Sequence, residues 1–437
     1  MYSIIVDACA LSTEAAVAQD TPKALTIETL DTVWLLLAAV LVFFMQAGFG
    51  LVETGMVRSK NAANVLFKNL LDFAFAALGF FAFGYAIMFG GDGPLFGTTG
   101  WFLIGLPEGE GTPLLATWFF QAVFAGAAAT IVAGAVAERM KFAAYLCYSF
   151  IITAFIYPVT GHWVWGSGGW LAEVGFFDFA GSTAVHAVGG VAALVGAMLL
   201  GPRRGRFNAD GSQNVIAGHS LPLVTLGVFI LWFGWYGFNA GAQSWGDPAA
   251  VARIITNTTL APAAGVVSAM LLAWMMYGKP DLTISLNGAL AGLVGITASC
   301  LIVSPGAAIF IGAISGVVVV GAIALLNTLR IDDPIGAFPV HGACGIWGTL
   351  AVGLWGQNKL GAGFNGLFYG GGFGQLWIQC LGIGACLAFI AIAMWIVFKA
   401  IDATIGLRVP LETELRGLDI DEHGHESYSG FQIFNAE

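Results

Sequence analysis

Two histidines lie within long apolar segments of the chain, and each belongs to the same spaced pattern of residues. The pattern Asp178, Gly181, Val185, His186 and Gly190 recurs with identical spacing as Asp333, Gly336, Val340, His341 and Gly345. A neutral imidazole has one donor and one acceptor nitrogen, so two facing rings can form a hydrogen-bonded line that accepts or relays a proton near neutral pH. We therefore interpret His186 and His341 as a functional pair, for which a small amine or water is a suitable guest.

An aspartate stands eight residues before each histidine, Asp178 in one copy and Asp333 in the other. An aspartate at the start of a helix most often caps it, because its carboxylate accepts hydrogen bonds from orphan backbone N–H groups and faces the positive end of the helix. We favour this structural role for both aspartates. Eight helical residues span about 12 Å, so each histidine is expected to reach toward the midplane of a membrane.

The elements that position these residues are long apolar helices. Of the 437 residues, 58% are hydrophobic and 10% are charged, whereas an average soluble domain has about 25% charged residues. Apolar runs long enough to span a bilayer recur along the whole chain. The sequence predicts an all-α integral membrane protein with eleven transmembrane helices, at approximately 33–51, 70–89, 116–137, 142–159, 180–200, 221–241, 254–277, 285–303, 307–326, 336–355 and 376–398.

The distribution of basic residues supports this topology, because Lys and Arg collect on the cytoplasmic side of a membrane. With the amino terminus outside, 13 of the 16 Lys and Arg residues fall on the inner side and three on the outer side. The inner residues are Arg58, Lys60, Lys68, Arg139, Lys141, Arg203, Arg204, Arg206, Lys279, Arg330, Lys399, Arg408 and Arg416, and the outer ones are Lys23, Arg253 and Lys359. The sequence thus predicts a multi-pass protein of the plasma (inner) membrane with a cytoplasmic carboxyl terminus.

The two copies of the histidine pattern lie in the fifth and tenth predicted spans, so they run through the membrane in opposite directions. This is the signature of an inverted-topology repeat, in which substrate sites lie at the interface of the repeats. We expect repeat halves at about 32–201 and 220–357, plus an eleventh helix at about 375–399. The predicted domains are an extracellular lead-in (1–31), a membrane domain (32–400) and a cytoplasmic tail (401–437).

An aromatic-rich stretch, with His162, Trp163, Trp165 and Trp170, precedes Asp178 on the predicted outer side. Interfacial tryptophans mostly anchor a protein in the headgroup region. A tryptophan that opens onto a pore also binds a small cation through its π face, which contributes ~0.5–2 kcal/mol. Asp178 would add negative potential for a cation in the same vestibule.

Charge and cysteine content exclude several function classes. The net charge of −10 leaves no basic surface suited to nucleic acid, and the six cysteines include no pair at zinc-ligand spacing. Cys344 lies near His341, but two ligands do not make a metal site. Ligation of haem by the two histidines is chemically reasonable, although basic residues for its propionates are scarce nearby. We expect no enzyme activity, no cofactor and no metal.

The chain resembles the ammonium transporters of the Amt/Mep/Rh group, from about residue 32 to the tail. The resemblance is most specific at residues 45–53, 58–61, 137–140, 178–186, 237–241, 287–293 and 340–345. Because a tryptophan precedes Asp178, the chain is more similar to the Amt and Mep branch than to the Rh branch. The resemblance implies a homotrimer with one pore per subunit, and a tail that contacts neighbouring subunits and, in bacteria, PII-type signal proteins.

The resemblance also implies roles for individual residues. Trp165 and Phe124 are similar to an outer recruitment site for ammonium that Asp178 supports, and Phe124 with Phe238 is similar to stacked rings that close the pore. His186 and His341 are similar to the twin histidines. At residue 242, where many members carry a serine at the recruitment site, this chain has Ala242. Either water or backbone carbonyls replace the missing acceptor, or recruitment is weaker.

A mechanism follows from the cost of carrying a charge through the bilayer centre, which is about 3 to more than 10 kcal/mol. The hypothesis is that ammonium is held outside, loses its proton at the ring constriction and crosses as ammonia along the histidines. The sequence leaves open whether the proton follows through the histidines. The alternative function is an ammonium sensor that signals through the tail.

Overall fold

The computed structural model of the protein describes residues 26–108 and 111–428. This part of the chain is helical, with two isolated β-bridges and no β-strand. Its α-helices are α1 (Ile27–Met56), α2 (Ala62–Gly79), α3 (Tyr85–Phe89), α4 (Leu114–Val136), α5 (Phe142–Ile151), α6 (Tyr157–Trp165), α7 (Trp170–Glu173), α8 (Val188–Leu200), α9 (Leu221–Ala240), α10 (Pro248–Tyr277), α11 (Leu282–Thr297), α12 (Pro305–Thr328), α13 (Cys344–Trp355), α14 (Gly374–Thr404), α15 (Leu411–Arg416) and α16 (Leu418–His423).

Short π-helical segments join several of these helices into longer rods. They are Phe80–Gly84 between α2 and α3, Ile152–Ile156 between α5 and α6, Ser182–Ala187 before α8, and Phe338–Ala343 before α13. Counted with these joints, nine helices of the described residues are long and apolar enough to cross a membrane. The protein is therefore a multi-pass membrane protein built from helices.

Nine of the eleven predicted spans coincide with these nine helices. The predicted span 285–303 corresponds to α11, which has 16 residues and ends at Thr297. The predicted span 336–355 corresponds to the π-helical segment Phe338–Ala343 followed directly by α13. The count of eleven therefore stays a prediction, because neither segment is among the nine helices of the described residues that are long and apolar enough to cross a membrane.

Helix α1 begins earlier than the sequence predicts, inside the expected lead-in of residues 1–31. Thr26 caps it, since its Oγ1 accepts a hydrogen bond from the backbone N–H of Thr29 at 3.2 Å. The helix then continues for 30 residues to Met56. Residues 1–25 of the lead-in, with Lys23, and residues 429–437 of the predicted tail lie outside the described residues.

The helices α15 and α16 lie against one end of the bundle, which we call the inner face; the opposite end is the outer face. Helices α1 and α9 pack along their length, as do α10 with α11 and α12, and α8 lies against α4 and α14. The buried core is continuous through the centre of the bundle. The two histidine-bearing segments cross inside this core.

Candidate functional site

The two predicted histidines meet at the centre of the protein. Nδ1 of His186 lies 3.2 Å from Nδ1 of His341, and one of these nitrogens donates a hydrogen bond to the other. Their rings are 0% and 5% exposed. Each histidine stands in a π-helical segment, Ser182–Ala187 or Phe338–Ala343, and such local widening of a helix is frequent at functional sites.

Two glycines of the repeated pattern let the histidine-bearing segments approach each other. A Cβ atom on Gly190 would lie 2.2 Å from the backbone nitrogen of Gly342, and one on Gly345 would lie 2.4 Å from the carbonyl oxygen of Ser182. Any side chain at either position would force the segments apart. The pattern therefore carries both the histidines and the close crossing that brings them together.

The two aspartates of the pattern cap the histidine-bearing segments in equivalent ways. The carboxylate of Asp178 accepts hydrogen bonds at 2.8–3.0 Å from four backbone N–H groups, those of Gly181, Ser182, Thr183 and Ala184. Asp333 accepts three, from Gly336, Ala337 and Phe338. Each carboxylate thus faces the positive end of its helix, as expected for a structural cap.

A column of aromatic rings leads from His186 toward the outer face. His186 stacks on Phe238 with ring centroids 5.2 Å apart, and Phe238 stacks on Phe124 at 4.1 Å with an interplanar angle of 23°. Trp165 meets Phe124 edge to face at 6.5 Å. Phe124 and Phe238 are 3% and 0% exposed, so they close the path between Trp165 and the histidines to hydrated ions.

Asp178 also orients Trp165, although its carboxylate is occupied by the cap. The indole Nε1–H of Trp165 donates a hydrogen bond of 2.8 Å to the backbone carbonyl oxygen of Asp178. One loop therefore holds both the start of the histidine segment and the outermost ring of the column. Loosening the cap would move Trp165 as well.

Ala242 lines a separate cavity of about 250 Å³ at the outer face. Phe120, which also lines this cavity, contacts Phe124 at 4.7 Å and so links the cavity to the ring column. Gln121 lies beside it, and its Oε1 is buried without a hydrogen-bond partner among the described residues. Asp31 lines the same cavity and accepts hydrogen bonds from Ser244 Oγ and from the backbone of Trp245.

Two further cavities continue from the histidines toward the inner face. A small one of about 20 Å³ is lined by His341, Phe49, Glu53 and Asn287 together with aliphatic side chains. The next, of about 200 Å³, is also lined by Asn287 and contains Arg203, Arg206 and Asp332. The cavities and the ring column together form one interrupted path across the bundle.

An ion pair marks the inner end of this path. The Asp332 carboxylate accepts hydrogen bonds from the backbone N–H, Nε and Nη2 of Arg203 at 2.8–3.0 Å. Burial raises the pKa of Asp332, but the hydrogen bonds and charge of Arg203 outweigh it and lower this pKa to about 2. Within the described ranges, no group of three or more His, Cys, Asp or Glu side chains could hold a metal ion.

The sequence model of the Ammonium Transporter Family matches residues 33–428. The chain belongs to this family. It is 45% identical over 424 residues to the ammonium transporter Amt2 of Archaeoglobus fulgidus, with 93% of this chain and 90% of that protein covered. It is 38% identical over 430 residues to ammonium transporter 3 of Dictyostelium discoideum, with 95% and 98% covered. These relatives are named as transporters, not enzymes.

Solved structures are similar over most of this family member. A structure named Sensor Amt Protein has a TM-score of 0.85 and 38% identity, and the match covers 91% of this chain and 98% of that one. The crystal structure of Mep2 from Candida albicans has a TM-score of 0.81 and 30% identity, with 87% and 86% covered. The predicted resemblance to the Amt/Mep group is confirmed.

Three residues of this family member were missed by the sequence reasoning. Trp235 stacks on His186 at 4.9 Å and donates from Nε1 to Thr297 Oγ1; it stands three residues before Phe238, on the same helix face. Gln121 follows Phe120 directly in the sequence. Glu53 is a buried carboxyl group of α1 that lies two residues beyond the predicted span 33–51, and the helix continues past it to Met56.

Proposed function

We propose that the protein transports ammonium across the membrane and conducts it as ammonia past His186 and His341. The observation that carries this proposal is the unbroken series of ring contacts from Trp165 through Phe124 and Phe238 to the two histidines. Trp165, whose ring can bind a cation, lies at the outer end of this series. Beyond the closed pair of Phe124 and Phe238, the ring nitrogens of the histidines can form hydrogen bonds with neutral ammonia. The names of the relatives as ammonium transporters support the choice of substrate.

Recruitment takes place at Trp165 and Phe124, whose π faces attract a small cation. Asp178 supports recruitment by holding Trp165 in place. Ala242 supplies no hydroxyl. Gln121 lines the same cavity, and its Oε1 is a buried acceptor without a hydrogen-bond partner among the described residues. Ammonium has only N–H donors, so an unpaired carbonyl oxygen is a suitable partner for it.

Deprotonation occurs at the gate formed by Phe124 and Phe238. Two phenylalanine rings cannot offset the cost of an intact charge at the bilayer centre, which is about 3 kcal/mol or more. Ammonia then passes along His186, whose Nε2 is buried without a partner in the described part of the chain. The proton follows through the histidine pair, which makes transport electrogenic.

The architecture proposed for this function is eleven spans, with two inverted five-helix halves and an extra helix. The equivalent caps at Asp178 and Asp333, and the π-helical segment that follows each, support the repeat. We further propose a homotrimer in the plasma (inner) membrane with the amino terminus outside. The clustering of Arg203, Arg204 and Lys60 at the inner face supports this orientation.

We propose that the chain is divided into a lead-in, a membrane domain and a cytoplasmic tail that begins near residue 401. Helices α15 and α16 of the tail lie on the inner ends of the spans, as the bonds from Lys60 Nζ to the carbonyls of Glu414 and Leu415 illustrate. A PII-type signal protein is the proposed partner of this face. Binding of such a protein to the purified transporter is measured directly by co-elution.

The experiment that tests the proposal compares wild type with His186→Ala. Purified protein in liposomes is adsorbed on a solid-supported membrane, and the current is recorded after a jump in ammonium concentration. We expect a current in wild type and its loss in the variant, because removal of the His186 ring breaks the hydrogen-bonded line between the ring column and His341. An unchanged current in His186→Ala would contradict the histidine route.

Growth complementation separates a transporter from a sensor. Cells that lack ammonium uptake are expected to grow on low ammonium when they express this chain. A sensor that binds ammonium without conducting it would leave growth unrestored. The similarity to the structure named Sensor Amt Protein makes this control necessary.

A further inference from the structure

Glu53 is a carboxyl group buried beside the histidine pair. It is 3% exposed and lines the small cavity that also contains His341. Its Oε2 accepts a hydrogen bond of 2.9 Å from Nδ2 of Asn69. A carboxyl inside an apolar span is costly, and such groups most often mark ion or proton pathways.

Successive turns of α1 carry the path from the histidines to the inner face. The ring of Phe49 lies 6.0 Å from that of His341, and Glu53 follows one helical turn later, about 6 Å further inward. Met56, almost one turn beyond Glu53, lines the larger inner cavity. Glu53 therefore stands between the inner histidine and the cavity that opens at the inner face.

Glu53 is the only carboxyl group among the described residues that line the small cavity. Nδ1 of His341 is hydrogen-bonded to His186. Its other ring nitrogen, Nε2, is therefore the one that can exchange a proton on the inner side. Lys68, a nearby cation of α2, does not form a direct bond to Glu53. Its Nζ donates a hydrogen bond of 2.8 Å to the carbonyl oxygen of Met140 instead. The carboxylate is thus available to a proton that arrives from His341.

We propose that Glu53 receives the proton from His341 and passes it to water in the inner cavity. In the first step an N–H bond of the His341 imidazolium breaks, its proton passes to a water in the small cavity that both residues line, and that water gives up a proton to the Glu53 carboxylate, on which an O–H bond forms. In the second step the Glu53 carboxylic acid gives this proton to water or to an arriving ammonia, and the carboxylate is restored. This assignment rests on the proposed transport of ammonia and a proton through the pore.

Glu53→Gln tests the assignment, because glutamine keeps an acceptor for Asn69 but cannot take up the proton. Glu53→Asp keeps a titratable group on a shorter side chain. Asp72→Asn is the matched control: Asp72 is also a buried carboxyl of the bundle, but it binds Ser149 and Thr130 and does not line the cavities of the path. All three are reconstituted in liposomes at equal density after size-exclusion chromatography confirms folded protein.

The ammonium-driven current and the lumenal pH are recorded for each variant. We expect Glu53→Gln to lose about 100-fold or more of the current. Ammonia that enters without its proton takes up a proton in the lumen, so the lumenal pH is expected to rise more in this variant than in wild type. Glu53→Asp keeps an intermediate current, and Asp72→Asn keeps a current close to that of wild type.

Two results would overturn the assignment: a full current in Glu53→Gln, or an equal loss in Glu53→Gln and Asp72→Asn. A wild type that moves neither charge nor ammonia would contradict the proposed function itself. A wild type that moves ammonia without current would contradict the proton route through both the histidines and Glu53. These outcomes separate failure of the assignment from failure of the function.

Discussion

At the scale of single residues, binding of ammonium at the outer end of the path depends on which side chains offer a π face or a hydrogen-bond acceptor. Trp165 and Phe124 offer π faces, whereas the Trp165 N–H is already bonded to Asp178. Ala242 has no polar side-chain atom. Gln121 lines the same cavity, and its buried Oε1 has no hydrogen-bond partner among the described residues. We therefore expect recruitment in this chain to depend on an amide oxygen where a hydroxyl is absent.

The first prediction concerns these two positions. Gln121→Leu is expected to raise the ammonium concentration for half-maximal transport by about 2- to 10-fold, since one hydrogen bond contributes about 0.5–1.5 kcal/mol. Ala242→Ser is expected to lower it by a similar factor, and the double variant to restore a value near that of wild type. Concentration dependence of the current measures this. Equal half-saturation in Gln121→Leu and wild type would show that Oε1 is not used.

At the scale of elements, the site depends on two interrupted helices that touch through glycine. Each begins at an aspartate cap, widens into a π-helical segment at its histidine and continues as α8 or α13. The gap at Gly190 is smaller than a methyl group requires. The distance between His186 and His341 is therefore set by backbone contact and not by the rings themselves.

The second prediction follows from this contact. Gly190→Ala would place a Cβ 2.2 Å from the nitrogen of Gly342, so the segments must separate and the histidine hydrogen bond lengthens. We expect a lower thermal unfolding temperature and a loss of most of the ammonium current. Gly384→Ala is the control, because a Cβ there meets nothing within 4 Å. If Gly190→Ala and Gly384→Ala behaved alike, close backbone contact would not explain the repeated glycine.

The third prediction concerns the loop element before α13, where Asp332 pairs with Arg203. The pKa of Asp332 is about 2, below the ordinary value of 3.8. Its contribution to stability is thus fully present above pH 3.8 and is lost as pH falls through about 2. We expect Asp332→Asn to reduce the free energy of unfolding by about 2 kcal/mol at pH 7.

That difference should shrink as the pH is lowered from 4 toward 2, when wild type also loses its charge. Thermal unfolding of wild type and Asp332→Asn in detergent, followed across this range, measures the effect. A difference that stays constant between pH 7 and pH 2 would mean that packing and not charge is lost in the variant. Asp210→Asn, at an exposed aspartate, is the matched control.

At the scale of the whole molecule, the sequence was sufficient where identity and spacing carry the information. The histidines were paired from one repeated pattern, and nine spans were located from apolar length alone. Trp235 and Gln121 were not identified, because their roles depend on which way a helix face turns inside a bundle that is apolar on every side. The eleven-span count stays a prediction, because hydropathy cannot detect that α11 ends at Thr297 after 16 residues.

The tail is the element that joins distant parts of the molecule at the inner face, and it provides the last prediction. The Asp419 carboxylate accepts hydrogen bonds from the backbone N–H groups of Ala63 and Asn64, the start of α2, at 2.8–3.0 Å. Asp419→Ala removes both bonds and a favourable charge at the start of that helix. Hydrogen exchange is expected to become faster in α16 and at the freed N–H groups of Ala63 and Asn64, while exchange in the rest of the spans stays unchanged. Asp421→Ala is the control, since Asp421 binds Arg416 within the tail itself. Equal exchange in both variants would mean that Asp419 does not hold the tail against the pore-bearing helices.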